Sequence, residues 1–449
     1  MSTLTAARTK RALAALLALG LAAYVGLFLN TTVTSFVRAP FGDGFDILAV
    51  EFEAQDRGDP GGYLWHPHNG HHIVWLRLLT SLDVRIFHGQ SAIFLVAALL
   101  AILAATGVIV RQILAGVENR AQALALAAIA PFALLTSLNA FDVSVPINTP
   151  YVFAMAFAVA AFALAEGRGP GLPTVAGLLA LSAGAAMGNS VGLATVPVLM
   201  AAILRRPERG RLPWFWVAGP ILVAVFVATA GPISVGAEAQ AATLPERALR
   251  GLRYFASFCG LPWSASSERM PLPGGLQAVT RVAGPALGVL LAALGAALAA
   301  RPAGGEAPRD RLDRFCSSLI LFSLAAAAMA ALGRVDARPD AQIPVRYSVL
   351  MAPLHIGVLV LLATRFGGRV RLGGGAKVGL LAAVLLAALA HQYAGAHVVR
   401  RYCSTIVQTA AAFDRGERTP EMTLYVYPRL DHAEAMTAEM KRRGLYQFR

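Results

Sequence analysis

Long runs of Ala, Leu, Val and Gly alternate with short polar breaks along the chain. Each run is near the ~20 residues that cross a hydrocarbon core. They predict eleven spans, over residues 12–36, 91–110, 121–137, 149–165, 172–187, 191–204, 214–230, 282–300, 315–333, 347–364 and 378–394. The fifth and sixth are short and separated only by Gly188-Asn189-Ser190. The expected fold class is an all-α polytopic membrane protein. Residues 1–394 form the transmembrane module and residues 395–449 a small polar tail.

The bulk numbers agree with this pattern. Of 449 residues, 57% are hydrophobic and 14% charged, where soluble domains carry about 25% charged residues. The formal charge of +14 raises nucleic acid as a partner. Its distribution excludes that reading, because the Arg and Lys residues fall largely in short loops between apolar runs. Loops 111–120, 166–171, 205–213, 301–314 and 365–377 all contain Arg, whereas 138–148 and 188–190 contain no Lys or Arg. This bias predicts a cytoplasmic N-terminus, an extracytoplasmic C-terminal tail and the inner (plasma) membrane of a bacterial cell. The first outer loop is then 38–89 and the long outer loop 231–281. Cys259 and Cys403 both fall in expected outer segments, so either a disulfide or two buried thiols is consistent with the sequence.

Chemistry-bearing residues concentrate in the first outer loop. It holds Asp43, Asp46, Glu51, Glu53, Asp56, Asp59, five His and two Trp. Phe45, Leu48, Ala49 and Phe52 recur at helical spacing, which predicts an interfacial helix with its apolar face in lipid headgroups, ended by Gly58-Asp59-Pro60. Asp43 and Asp46 suit the N-cap and third helical position of such a helix. They also suit proton transfer at the water–lipid boundary. Trp65-His66-Pro67-His68-Asn69-Gly70-His71-His72 follows. If it is helical from Pro67, His68, His71 and His72 share a face and can take a divalent metal. Hydrogen bonding to a sugar or phosphate, and plain packing, are the other readings. Trp75, Leu78, Leu79, Leu82 and Ile86 form the expected apolar stripe of the next helix. Residues 244–255 predict a second interfacial helix carrying Arg247, Arg250 and Arg253. Asn139, Asp142, Asn148 and Asn189 line other outer turns, where they suit glycan contact or, more commonly, a turn role, and Tyr425–Pro428 is read as a short strand.

The acidic pair after the first span, the interfacial helix and the multi-span body resemble the GT-C class of integral membrane glycosyltransferases. More narrowly, residues 65–89 resemble a bacterial polytopic family bearing H-N-E-H-R, an apolar helix and D-x-x-x-F-x-G. Asn69, His71, Leu78, Leu79, Asp83, Phe87 and Gly89 match, whereas Gly70 stands for the usual Glu and His72 for the usual Arg. Gly333-Arg334 and Arg346-Tyr347 are similar to a G-R…R-Y segment of the same family.

The resemblance implies a polyprenyl-phosphate sugar donor and a lipid, glycan or protein acceptor at the outer face. It implies inversion at the anomeric carbon with an Asp, Asp43 by position, as general base. The leaving phosphate would be met by a divalent metal or by basic side chains, with Arg334, Arg338 and Arg346 as candidates. His68, Asn69, His71, His72 and Tyr347 complete the expected substrate-binding set. A transporter or flippase of lipid-linked sugars, and a non-catalytic envelope-assembly protein, are the competing readings.

Overall fold

A computed structural model describes residues 3–167, 171–205, 213–230, 243–261, 274–301, 305–333, 345–367 and 374–445. Among these residues there is helix and no β-strand. The helices are α1 (Thr3–Thr34), α2 (Gly44–Arg57), α3 (Pro60–Trp65), α4 (Val74–Ile86), α5 (Ala92–Gly116), α6 (Arg120–Ala127), α7 (Ile129–Leu134), α8 (Ser137–Ser144), α9 (Thr149–Gly167), α10 (Leu172–Gly188), α11 (Thr195–Leu204), α12 (Pro213–Thr229), α13 (Leu244–Cys259), α14 (Gly274–Ala299), α15 (Pro308–Leu332), α16 (Ser348–Phe366), α17 (Gly374–Asp414), α18 (Met422–Tyr425) and α19 (Leu430–Arg442).

All eleven expected apolar segments are helical, but they are not equivalent. Among the described residues, seven helices are long and apolar enough to cross a membrane, and the bent α6–α8 unit brings the number to eight. The other three, at Leu172–Gly188, Ser190–Leu204 and Trp214–Thr229, are shorter apolar helices. The chain is therefore an all-α multi-pass membrane protein with seven or eight full-length membrane-capable helices. The last long helix also differs from expectation. The expected tail from residue 395 begins as unbroken α17, whose 41 residues extend about 60 Å at 1.5 Å per residue. That exceeds a bilayer of about 45 Å, so one end of α17 projects and carries the tail.

The break between α7 and α8 organises one end of the bundle. The axis bends by 52° there, which frees backbone groups that have no water to satisfy them in an apolar setting. Two side chains supply the partners. Asn139 Nδ2 donates to the Leu134 carbonyl at 2.9 Å and the Ala133 carbonyl at 3.3 Å. Gln392, on α17, donates to Leu135 O at 3.0 Å and Tyr24 O at 3.1 Å, and its Oε1 accepts from Ser137 N at 2.7 Å. Thr136 caps α8 through the Asn139 amide at 3.1 Å. Ser348 Oγ donates to Asn139 Oδ1, tying the break to the start of α16. Both Asn139 and Gln392 are buried.

The opposite end is held by charge. Arg314 and Glu166 form a buried ion pair at 3.0 Å, and Arg314 also donates to Gly305 O at 2.6 Å. Arg365 pairs with Asp313 at 3.1 Å and donates to Leu298 O at 3.0 Å. These contacts join the loop ends of α9, α14, α15 and α16 and give each buried charge an opposite partner.

The outer loop corrects two expectations. Phe45, Leu48 and Phe52 of α2 do not face lipid. They are buried against Phe413, Met422, Val426, Tyr427, Met436, Met440 and Leu445 of the tail. An apolar stripe looks the same from sequence whether lipid or protein covers it. Tyr425–Pro428 forms no strand, since α18 ends at Tyr425 and the chain turns there. Cys259 and Cys403 are free, buried thiols.

Gln392→Leu should lower the melting temperature in detergent by several degrees, because three backbone groups lose their buried partner at about 1–3 kcal/mol each. Gln408→Leu, on the exposed face of the same helix, should leave it unchanged. Equal melting temperatures for the two variants would sink this account of the break.

Candidate functional site

The site lies where the first outer loop, α8 and the start of α16 meet. Asp43 stands at the N-cap position of α2 but makes no capping bond; its backbone is helical, at φ −57° and ψ −8°. Its carboxylate instead faces His68, with Oδ2 3.3 Å from Nε2. The His68 hydrogen bond holds the Asp43 carboxyl below the usual carboxylate range, against burial that pushes it up, with help from the Arg346 charge. About half of the Asp43 side chain remains exposed, 48% by accessible area. The result is a carboxylate that is ionised at neutral pH and open to an incoming group.

His68 reaches Asp43 because residues 66–73 are not helical. His68 N donates to His71 O at 2.8 Å and His71 N to His68 O at 2.9 Å. Asn69 and Gly70, at φ 49° and 73°, form the left-handed pair of a two-residue hairpin turn. The Asn-Gly dipeptide is itself the strongest short-range signal for such a turn, and helical spacing of the imidazoles obscures it. Gly70 therefore has a backbone role at the position where the resembled family carries Glu.

The three imidazoles do not share a face. His68 meets Asp43, and the Asn69 amide lies 3.2 Å from the same His68 nitrogen. His71 Nδ1 lies 2.6 Å from Ser190 Oγ. His72 is buried, stacked on Trp65 at 4.4 Å, with its nitrogens 2.9 Å from Trp65 O and Thr229 Oγ1. His71 and His72 thereby pin the loop to the ends of α10 and α12. Among the described residues, no group of three His, Cys, Asp or Glu side chains converges closely enough to hold a metal ion.

Asp46 is a tail-binding residue in this fold. Both of its carboxylate oxygens accept from Tyr427 Oη at 2.7 Å, with His432 at 3.4 Å and Arg429 at 3.7 Å. Gly42 N also donates to Val426 O at 2.8 Å, so the tail fixes the turn carrying Asp43. The α4 stripe is shifted from expectation. Leu76, Arg77, Leu79, Thr80, Asp83 and Val84 are buried, and Ile86 is 60% exposed. Asp83 accepts from Ser91 N at 2.9 Å, and Gly89 N donates to Asp83 O at 3.0 Å. The D-x-x-x-F-x-G segment is thus a clasp ending α4, with Gly89 at φ 73°.

Arg346 comes from the other end of the sequence. It lies on the single turn Val345–Tyr347, packed beside α8. Its guanidinium lies 6.0 Å from the Tyr151 ring centroid and 5.8 Å from that of Tyr347. Its Nε is buried without a hydrogen-bond partner, and no carboxylate lies within ion-pair distance of it among the described residues. Its charge nevertheless acts on two carboxylates, Asp43 and Asp142. Arg334 and Arg338 lie outside the described residues.

Asp142 is the residue the sequence reading missed. It is not on a turn but on α8, fully buried, and neither oxygen makes a hydrogen bond of good geometry. The nearest favourable groups are the Val349 amide and Arg346. An Asp three residues after an Asn, in a segment free of Lys and Arg, was the available signal. Asn148 Nδ2 is likewise buried without a partner.

An apolar crevice opens at the start of α2, next to the turn that carries Asp43. It is lined by Pro40, Phe41, Gly44, Ile47, Phe94 and Ile147, among others. The assembled site is a half-exposed carboxylate, a guanidinium whose Nε lacks a hydrogen-bond partner and an apolar crevice at one end of the helical bundle.

His68→Ala should raise the pH at which Asp43 titrates, since burial then acts with less opposition. Isotope-edited infrared spectroscopy of the carboxyl band reads this directly, and an unmoved titration would contradict the coupling. A depressed carboxyl stabilises the fold above its unfolded value and loses that contribution as pH falls through its folded value. The wild type should accordingly lose more stability than His68→Ala on acidification below about pH 4.

No protein-family model matches this chain, and no characterised protein and no solved structure is significantly similar to it.

Proposed function

We propose that the protein is an inverting glycosyltransferase that moves a sugar from a polyprenyl-phosphate donor to a lipid-linked or envelope acceptor. The observation that carries this reading is that Arg346, far from Asp43 in sequence, lies near enough for its charge to lower the Asp43 carboxyl, and that an apolar crevice opens next to the Asp43 turn. A base, a phosphate-binding group and a place for an apolar chain are the three things that this reaction needs.

In this reading Asp43 accepts the proton of the acceptor hydroxyl as its oxygen attacks the anomeric carbon. The bond from that carbon to the lipid-phosphate oxygen breaks, and the electron pair leaves with the phosphate. Arg346 meets the departing charge, its buried Nε being without a hydrogen-bond partner in the protein. One carboxylate suffices, because the phosphate leaves without needing a proton. His68 holds Asp43 ionised between turnovers. Asp46, bound to Tyr427, acts as a tail anchor and not as a second base. The site belongs on the outer face of a bacterial inner membrane, with the N-terminus cytoplasmic, the tail extracytoplasmic and surrounding lipids as neighbours.

A second reading is favoured by Asp142. A buried acid without a well-formed hydrogen bond, on a helix that follows a break in a span, is also the arrangement of a transport site. In that reading the protein moves lipid-linked sugars across the bilayer, and Asp142 carries the coupling charge.

The two readings separate in reconstituted vesicles supplied with radiolabelled polyprenyl-phosphate sugars and a lipid-acceptor extract. The enzyme reading expects donor turnover that falls about 100-fold or more in Asp43→Asn and in Arg346→Gln. No turnover from any donor, together with flipping that Asp142→Asn abolishes and Asp43→Asn leaves intact, would replace it with transport.

A further inference from the structure

We propose that the first three turns of α13 form a binding face for the anionic headgroups of membrane phospholipids. The helix is set firmly at both ends. Thr243 and Glu246 form a reciprocal capping box at its start, with Thr243 N donating to Glu246 Oε2 at 2.8 Å. Tyr254, Phe258 and Cys259 are buried at its far end. There, His355 Nε2 lies 3.2 Å from Cys259 O, and the Phe258 ring meets Tyr347 edge-on at 4.9 Å. Gly260 and Gly288 let α13 and α14 touch backbone to backbone, since a Cβ at either position would overlap the other helix.

Between these anchors the helix is exposed and divided by chemistry. Leu244, Leu249 and Leu252 are 80%, 69% and 67% exposed. Arg247, Arg250 and Arg253 recur every third residue, which aligns them in a row along the helix. Leu249 and Leu252 each precede an arginine by one position, so the apolar row sits about 100° around the helix from the basic row. The only acid is Glu246, which the capping box uses. Arg250 and Arg253 form no ion pair among the described residues. The segment thus carries an excess of positive charge, with no ion pair at two of its three arginines among the described residues, beside exposed leucines.

A helix with adjacent exposed leucine and arginine rows, attached to a multi-pass bundle, fits the boundary of a bilayer. The leucines enter the acyl region and the arginines meet phosphodiester oxygens at headgroup level. Charge complementarity selects lipids with net negative headgroups over zwitterionic ones. This face is separate from the crevice beside Asp43 and does not depend on the proposed reaction.

The test uses the full-length protein in detergent micelles, with dioctanoyl phosphatidylglycerol and dioctanoyl phosphatidylcholine as probes. Native mass spectrometry reads bound lipid against lipid concentration. The wild type should bind phosphatidylglycerol more tightly. Arg250→Gln with Arg253→Gln should weaken that lipid by about 25-fold, about fivefold per charge, and leave phosphatidylcholine nearly unchanged. Leu249→Ser with Leu252→Ser should weaken both lipids. These side chains are exposed or half-exposed, so the melting temperature without lipid should stay constant and separate binding from unfolding. Equal wild-type affinity for the two lipids, or unchanged phosphatidylglycerol affinity in the arginine variant, would overturn the proposal. So would a change of oligomeric state in the leucine variant, which would make the face a contact between copies.

Discussion

One end of this molecule depends on a broken helix whose backbone is repaired by side chains. At residues 134–137 the α6–α8 unit bends, and the freed carbonyls and amides cannot turn to water. Asn139 and Gln392 satisfy them from two sides. Gln392 belongs to α17 and also reaches the Tyr24 carbonyl of α1, so one buried amide joins three segments distant in sequence. Asn139 accepts from Ser348 and thereby sets the start of α16, directly after Arg346. The break also turns α8 so that Asp142 points into the protein. Without it there would be no fixed relation between the first outer loop and the α16 turn.

Around that relation the loop is built by local chemistry. The Asn69-Gly70 turn aims His68 at Asp43. Asp83 and Gly89 close the far end of α4 with a buried clasp. The tail then covers the apolar face of α2 and grips Asp46, which holds the Asp43 turn from above through Gly42 and Val426. Each contact removes a degree of freedom from the Asp43 carboxylate while leaving it half exposed. This is the pattern expected of a group kept ready for a partner, because polar atoms with structural roles are usually saturated by protein.

Much of the helical body was legible in the sequence, and little of the site's assembly was. The apolar runs fell on helices because burial in lipid or protein demands the same residues. That equivalence is also why the sequence failed elsewhere. It could not tell that Phe45, Leu48 and Phe52 face the tail instead of lipid, or that three apolar segments are shorter than a full crossing. Asp43 and Arg346 stood out as candidates from their positions beside spans, yet the influence of one charge on the other is a tertiary fact with no local signature. The His68, His71 and His72 spacing suggested a shared face, but the Asn-Gly dipeptide overrode helical periodicity. Asp142 was read as a turn residue because its neighbours suit a turn; its burial depends on the bend that follows Leu134.

The central claim is that Asp43 and Arg346 belong to one electrostatic unit. The most direct measurement is the titration of Asp43, followed by its carboxyl infrared band, in the wild type and in Arg346→Gln. The account predicts that losing the guanidinium raises the pH at which Asp43 takes up its proton, with the melting temperature little changed. An identical titration in the two proteins would show that the two residues do not share a site.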